Sequence, residues 1–325
     1  MGCLVAASVL ADVATGPAML SATQVVRTIV SPHSVSAADR TIVWTFRMPP
    51  ALLALVVGCA LGVAGGEMQT ILNNPLASPY TVGVASGASF GAALAMAGGL
   101  AAVPVAETIV VPLFAFAFAM LTSLTVYGVA RLNRASAESI ILSGVALLFL
   151  FNAGIACTQY VASQEQLAAI VFWTFGSLQG ATWRKLGIVS AVLVLTLPPL
   201  AASAWQLTAL RMGDERARSL GINVQRLRLT TLVLVSILTA TAVCFVGTIG
   251  FIGLVAPHLA RAMVGEDQRY FMPLSALTGA LLLSVASIAS KLVFPGAVFP
   301  IGIATAILGV PFFAAIVLSR GRGYW

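Results

Sequence analysis

The sequence predicts an all-α protein that crosses a membrane several times. Hydrophobic residues make up 59% of the 325 residues and charged residues only 8%, whereas a soluble domain carries about a quarter charged residues because its surface faces water. Long apolar runs recur along the chain, and they lack the period-two alternation of a transmembrane β-strand. We therefore expect one polytopic helical bundle in lipid, forming a single transmembrane domain over residues 1–325.

Runs of about 20 apolar residues, which suffice to span a bilayer as helices, follow one another through the chain. The first run is short because Asp12 and the break at residues 15–17 interrupt it, so we expect the first spanning helix to be truncated. The predicted spans lie near residues 48–71, 80–103, 105–130, 138–160, 184–205, 228–249, 270–291 and 299–319, with a shorter run near 250–263.

Small residues recur three and four positions apart in the span near 80–103, which is typical of close helix packing in membranes. They are Gly83, Ser86, Gly87, Ser89 and Gly91.

Basic residues predict the orientation, because cytoplasmic loops of membrane proteins are enriched in Lys and Arg. If the C-terminal end of the 48–71 span faces the cytoplasm, 11 of the 17 basic residues are cytoplasmic. The opposite arrangement reverses this bias, so we expect a cytoplasmic C-terminus. The cytoplasmic set is Arg131, Arg134, Arg211, Arg216, Arg218, Arg226, Arg228, Arg261, Arg269, Arg320 and Arg322.

The largest polar segment, Arg211–Arg228, contains residues that typically start and end short helices. Gly213 and Asp214 suit a break and an N-cap, and carboxylates in the first turn complement the helix dipole. Gly221 suits a C-terminal stop. We predict two short helices separated by Gly221 that form a docking element; the alternative is a solvated loop that serves topology alone.

The sequence does not predict an enzyme or a cofactor-binding protein. It lacks a GxxxxGK[ST] phosphate loop, and its only lysines, Lys185 and Lys291, do not follow glycine-rich turns. Any ATPase that drives it must therefore be another chain. The four cysteines are far apart in apolar runs and the two histidines have no clustered carboxylates, so no metal site is predicted. The paired polar groups of an intramembrane enzyme are also missing from the spans.

Glu67 lies inside the first long apolar run. An ionisable residue at membrane depth is costly and marks a candidate functional site. Lining of a transport pathway is the functional interpretation, and an interhelical hydrogen bond is the structural alternative. A secondary transporter driven by an ion gradient, which is the runner-up function, would need more such groups than Glu67 alone.

Four stretches occur in order from about residue 42 to residue 318 and carry a family resemblance. They begin FRMPPALLALVVGCALGVAGGEMQTILNNPLASPYTVG from Phe46, ESIILSGVAL from Glu138, LRMGDERARSLGINV from Leu210, and GTIGFIGLVAPHLAR from Gly247. Together they resemble the FecCD family of ABC transporter permeases, which import ferric siderophores, haem or cobalamin.

The resemblance implies a type II ABC importer permease of about ten transmembrane helices in a bacterial or archaeal cytoplasmic (inner) membrane. It implies a homodimer with the transport pathway along the dimer axis. It also implies two cytoplasmic ATPase subunits that use ATP and Mg, a substrate-loaded binding protein on the outer side, and no nucleic-acid partner. An iron complex is the leading cargo, with cobalamin as the alternative.

The resemblance also implies site residues. Arg47 and Lys291 would dock the binding protein, although snorkelling to the membrane interface is the alternative, and Pro50 stands where many members carry a second Arg. The coupling to the ATPases falls on Arg211, Gly213, Asp214, Glu215, Arg216, Ala217, Arg218, Leu220 and Gly221. The cytoplasmic gate falls on Asn74, Leu76, Ser136, Ala137 and Glu138, where ordinary helix–helix turns are the alternative.

Overall fold

The computed structural model describes residues 1–16, 20–99, 104–133, 136–293 and 299–319. All regular structure in these residues is helical, and a π-helical segment, Ile42–Arg47, joins α3 to α4 in one continuous rod. The helices are α1 (Gly2–Ala14), α2 (Ala22–Val30), α3 (Ala37–Thr41), α4 (Met48–Ile71), α5 (Val84–Ala97), α6 (Pro104–Leu132), α7 (Ala137–Val161), α8 (Gln164–Thr174), α9 (Trp183–Ala202), α10 (Ala204–Leu210), α11 (Asp214–Ser219), α12 (Val224–Val246), α13 (Ile252–Val264), α14 (Gln268–Leu292) and α15 (Ile301–Ser319).

Within the described residues, six helices are long and apolar enough to cross a membrane, and four shorter helices are also apolar. The long ones contain α4, α6, α7, α9, α12 and α14, and the shorter ones are α1, α5, α13 and α15. The expected polytopic bundle of about ten helices is therefore confirmed.

The span expected near 80–103 is shorter than its apolar run. Helix α5 begins only at Val84, because the preceding segment contains Pro75, Pro79 and the positive-φ residue Gly83. The expected close packing of its small residues is present: a Cβ on Gly91 would collide with the carbonyl oxygen of Phe114 in α6.

Helix α4 is the centre of the bundle, with most of its side chains buried. It packs against α14 through backbone contacts, since a Cβ on Gly62 would collide with the carbonyl of Ser275 and a Cβ on Gly279 with that of Gly58. Gly65 lies equally close to Gly253 in α13. Small residues allow this approach in the absence of a hydrophobic driving force between helices in lipid.

The ends of three helices meet inside the bundle, where α8 and α12 end and α15 begins. The amide of Ser177, after α8, donates to the carbonyl of Val246 at the end of α12 (2.8 Å), and the amide of Gly302 in α15 donates to the carbonyl of Phe175 (2.9 Å). These bonds satisfy backbone groups that lipid would leave unpaired. Beside them lies a cavity of about 410 Å³, whose lining includes Leu61, Thr81 and Thr239.

Candidate functional site

The polar segment after α10 folds into a compact knob, which we define as residues 211–221. Its helix α11 is a single short helix that ends in a Schellman motif: Gly221 has φ 82°, its amide donates to Arg218, and the amide of Ile222 donates to Ala217. The predicted stop at Gly221 is therefore confirmed. The predicted second short helix is wrong, because Val224 starts the long helix α12.

Asp214 does not cap α11 as the sequence suggested. The N-cap is Gly213, with φ 101° and no side-chain capping bond, and Asp214 is the first helical residue. Its carboxylate instead forms a bidentate ion pair with Arg228 of α12, with Nη1–Oδ2 and Nη2–Oδ1 distances of 3.1 and 2.8 Å. Because the Arg228 side chain is almost fully buried, this pair ties the knob to the interior of the bundle.

A second ion pair holds the start of the knob. The guanidinium of Arg211 donates to both oxygens of Glu266 between α13 and α14, at 3.0 and 2.7 Å, and Arg261 lies 2.9 Å from the same carboxylate. Burial raises the pKa of Glu266, but the hydrogen bonds and charges of Arg211 and Arg261 outweigh it, so the pKa lies below its ordinary value. The carboxylate is therefore ionised at neutral pH and shared by two cations.

The knob has a buried and an exposed side. Ala217 is buried and joins the main core, together with Ile222 just beyond the knob. The exposed positions include four of the predicted coupling residues, Glu215, Arg216, Arg218 and Leu220. These side chains therefore lie on an exposed surface, and the opposite side of the knob is attached to the bundle by Ala217 and by the Asp214–Arg228 ion pair.

The first predicted gate segment directly follows α4. Helix α4 also ends in a Schellman motif, in which Asn73 has φ 44° and the amide of Asn74 donates to Gln69 (3.1 Å). The side chain of Asn74 then accepts from the amide of Leu76 at 2.9 Å, and Leu76 is 54% exposed. The turn is therefore rigid, with its apolar tip accessible.

The second predicted gate segment starts α7. Ser136 is the N-cap and its hydroxyl accepts from the amide of Ser139 (3.2 Å), while Glu138 lies exposed in the first turn. Ala137 packs against the main core. The first segment is thus a turn at the end of α4 and the second is the capped start of α7, which is compatible with a gate and with ordinary helix connections.

Glu67 is enclosed by protein in this structure. It is 1% exposed, and its Oε2 atom has no hydrogen-bond partner among the described residues. It therefore does not face an open vestibule here, and its role in lining a pathway stays a prediction.

At the opposite end of the bundle, Lys291 closes a buried ion pair that joins α14 to α1. Its Nζ atom lies 2.6 Å from Oδ1 of Asp12, and the hydroxyl of Ser287 donates to the same oxygen at 3.0 Å. Asp12 is 0% exposed. Lys291 is therefore not a snorkelling side chain, since its charge is neutralised inside the protein.

Arg47 holds the same end of α1. Its Nη1 atom donates to the carbonyls of Val13 and Ala14, both at 3.0 Å, and the residue is 6% exposed. Arg47 and Lys291 also line a cavity of about 760 Å³ at this end. The structure thus gives both residues a structural task that the sequence did not indicate, and contact with a binding protein stays a prediction.

Several residues of these clusters were not predicted from the sequence as site residues, among them Arg228, Asp12 and Glu266. Arg228 was read as one of many basic loop residues, Asp12 as a break in an apolar run, and Glu266 was not singled out. A signal existed for Asp12 alone, because a carboxylate in an apolar helix needs a cationic partner.

Comparison with known proteins identifies the family of this chain. The profile of the FecCD transport family matches residues 4–319. The chain is 36% identical over 279 residues to the hemin transport system permease protein HmuU of Yersinia pestis, with 86% of this chain and 84% of that protein covered. It is 36% identical over 282 residues to the cobalamin import system permease protein BtuC of Halobacterium salinarum, with 86% and 74% covered.

The fold agrees with these sequence relatives. A solved structure of a metal-chelate type ABC transporter in an inward-facing conformation superposes with a TM-score of 0.85 and 29% identity, covering 98% of this chain and 97% of that chain. The overall fold is thus that of a known transporter, and the chain is a member of the FecCD transport family, the membrane permeases of ABC importers.

Proposed function

We propose that this chain is the permease subunit of a binding-protein-dependent importer that translocates an iron complex, a ferric siderophore or haem, across the cytoplasmic membrane by ATP-driven alternating access. The observation that carries this proposal is the knob: its outer side is exposed, while Arg228 and Ala217 fix its inner side to the bundle. A surface that is both accessible and anchored suits a subunit that is pushed by a partner.

The partners follow from this arrangement. Two cytoplasmic ATPase subunits would bind the exposed side of the knob and supply the ATP and Mg chemistry, while this chain contributes no catalytic group. A second copy of the chain would complete a homodimer, since closed two-fold assemblies are the commonest oligomers. The pathway would then run between the two copies, with Asn74–Leu76 and Ser136–Glu138 near its cytoplasmic mouth.

The substrate-binding protein would dock at the opposite end, where α1, Arg47 and Lys291 meet. Because Arg47 is nearly fully buried, we expect it to shape the docking surface by fixing α1. Lys291 would act in the same way through Asp12. This assignment places the knob and the C-terminus in the cytoplasm.

The cargo is proposed from chemistry shared by the relatives. One relative is named for hemin and another for cobalamin, and both molecules are bulky metal chelates. The solved relative is described as a transporter of the metal-chelate type, which also favours a metal chelate as the cargo. An iron complex is the leading cargo, and cobalamin is the second candidate because of the BtuC relative.

Uptake by a strain that lacks this chain tests the proposal. We expect uptake of haem or of a ferric siderophore to be lost and to return with the wild-type chain, while cobalamin uptake is unchanged. Loss of cobalamin uptake alone would move the assignment to the second candidate. Uptake measured after the ion gradient is collapsed, with ATP maintained, distinguishes the two mechanisms. Uptake by a secondary transporter would stop, whereas uptake by an ATP-driven importer would continue.

A further inference from the structure

The last turn of α4, on the same side of the bundle as the knob, is bonded to polar side chains of neighbouring helices. Arg261 in α13 donates to Gln69, and Gln268 in α14 donates to Thr70, at 3.0 and 2.7 Å. Consecutive residues of one helix end are therefore bonded to two different helices.

Arg211 of the knob and Arg228 of α12, which pairs with Asp214 of the knob, provide two further bonds to the end of α4. The Nε atom of Arg228 donates to the backbone carbonyl of Ile71 (2.6 Å), and the Nη1 atom of Arg211 donates to the side-chain oxygen of Asn73 (2.9 Å). Both arginines also donate to carboxylates, Arg228 to Asp214 and Arg211 to Glu266. Each guanidinium thus bridges a carboxylate near or on the knob to the end of α4.

These bridges are stiff for a physical reason. A guanidinium is planar and presents its donors in a fixed fork, so a bidentate carboxylate on one side sets the direction of the donor on the other. Arg228 is 4% exposed, so separation from Asp214 or from the carbonyl of Ile71 would leave buried donors without those hydrogen bonds, which is costly. Displacement of α11 therefore has to move Arg228, and with it the carbonyl of Ile71.

The exposed tip of the first gate segment lies a few residues further along the chain. Asn73 starts the turn, Asn74 fixes the amide of Leu76, and no flexible spacer intervenes. A shift of Ile71 and Asn73 is therefore passed directly to Leu76.

We propose that Arg228 and Arg211 are positioning residues that transmit displacement of the knob to the Asn74–Leu76 segment through the end of α4. This inference rests on the proposed function, because it assumes that an ATPase displaces the knob. It assigns the transmission to two guanidinium bridges, so the bridges are expected to matter for gate movement more than for assembly or ATP hydrolysis.

The experiment follows gate movement in the complete transporter, purified with its ATPase subunits. The four cysteines, which are free in the structure, are replaced, and Leu76→Cys provides one label site. The rate of maleimide labelling is measured with and without ATP and Mg, beside the rate of ATP hydrolysis. In the otherwise unchanged chain we expect nucleotide to alter the labelling rate by about fivefold or more, as for a coupled two-state element.

Asn73→Gly is the decisive variant. It removes the oxygen that binds Arg211, while glycine accepts the φ of 44° without strain. We expect the nucleotide-dependent change in labelling to be lost while ATP hydrolysis continues. Asn73→Asp, which keeps an acceptor for Arg211, should restore the change, and Arg228→Met should abolish it.

Arg131→Met is the matched control, because Arg131 is an exposed arginine in the last turn of α6. It should behave as the unchanged chain. Labelling that still responds to ATP in both Asn73→Gly and Arg228→Met overturns the inference, as does a parallel loss of ATP hydrolysis in Asn73→Gly. If the ATPase subunits hydrolyse ATP at the same rate with and without this chain, the proposed function fails instead.

Discussion

At the scale of single residues, the buried pair of Asp12 and Lys291 joins two helices that are distant in the sequence. The two residues are 279 positions apart, and both lie in or beside apolar runs. A buried pair adds little net stability, but removal of one partner leaves an uncompensated charge. The pair therefore specifies where α1 sits on α14.

Lys291→Met should lower the free energy of unfolding by about 3–5 kcal/mol, because it leaves the Asp12 carboxylate buried without its cation. Denaturant titration of the detergent-solubilised protein measures this loss. Asp12→Asn in the same chain should recover part of it. Lys185→Met is the matched control, since Lys185 donates to a backbone carbonyl, that of Gly180, and about 1 kcal/mol is expected. Equal losses in the two lysine variants would contradict the prediction.

The ion pairs of Glu266 predict that the stability of the protein depends on pH. Its folded pKa is depressed by Arg211 and Arg261, so its stabilising contribution is present above the ordinary glutamate pKa of about 4.3 and is lost as pH falls through the folded value. Glu266→Gln should therefore lower the Tm at pH 7, and the difference from wild type should shrink as the pH falls below about 4.3. Glu215→Gln, at an exposed position of α11, is the control variant, and its Tm at pH 7 should stay close to that of wild type.

At the scale of elements, the sequence predicted helices well where periodic apolar runs had clear ends. Gly221 could be read as a stop because a positive φ at the end of a helix favours glycine. Helix α8 was missed because its 11 residues, Gln164–Thr174, are too short to register as a span.

Partners across the chain could not be read from the sequence. Arg211 and Glu266 are 55 positions apart, and Arg228 and Ile71 are 157 apart. Sequence position carries no information about such pairs, so the knob was predicted as a surface while its anchors were not. For the same reason Arg47 and Lys291 were predicted as accessible charges, although both are bonded to α1.

Gly221→Ala tests the knob as an element. The site has open space for a methyl group, so the cost is the left-handed backbone alone, about 1 kcal/mol. A lower free energy of unfolding and weaker stimulation of the partner ATPase are expected. Gly187→Ala in α9 is the matched control, because it also has open space but an ordinary helical backbone, and it should gain up to about 1 kcal/mol. The same sign for both variants would contradict the explanation.

At the scale of the whole molecule, the main question is which end faces the cytoplasm. The bias of basic residues predicts that the knob faces the cytoplasm, and the proposed ATPase contact requires the same. The six long and four shorter apolar helices among the described residues are compatible with this orientation.

Leu220→Cys in a chain without native cysteines tests the orientation. Leu220 is 49% exposed on the knob, so a membrane-impermeant maleimide should label it in inside-out vesicles and not in intact spheroplasts. Val30→Cys, at an exposed position at the end of α2, should give the reverse pattern. Labelling of Leu220→Cys from the outside would exclude the proposed contact with cytoplasmic ATPases.

The glycine contacts of α4 have a mechanical consequence for the whole molecule. Where Gly58, Gly62 and Gly65 meet α14 and α13, the backbones of neighbouring helices lie in direct contact, so no side chain separates the helices at these points. We therefore expect α4, α13 and α14 to move largely as one unit. Helix α4, with 24 residues, is about 36 Å long, and it links the turn beside the knob to Arg47 at the opposite end, so a displacement at one end is expected to reach the other.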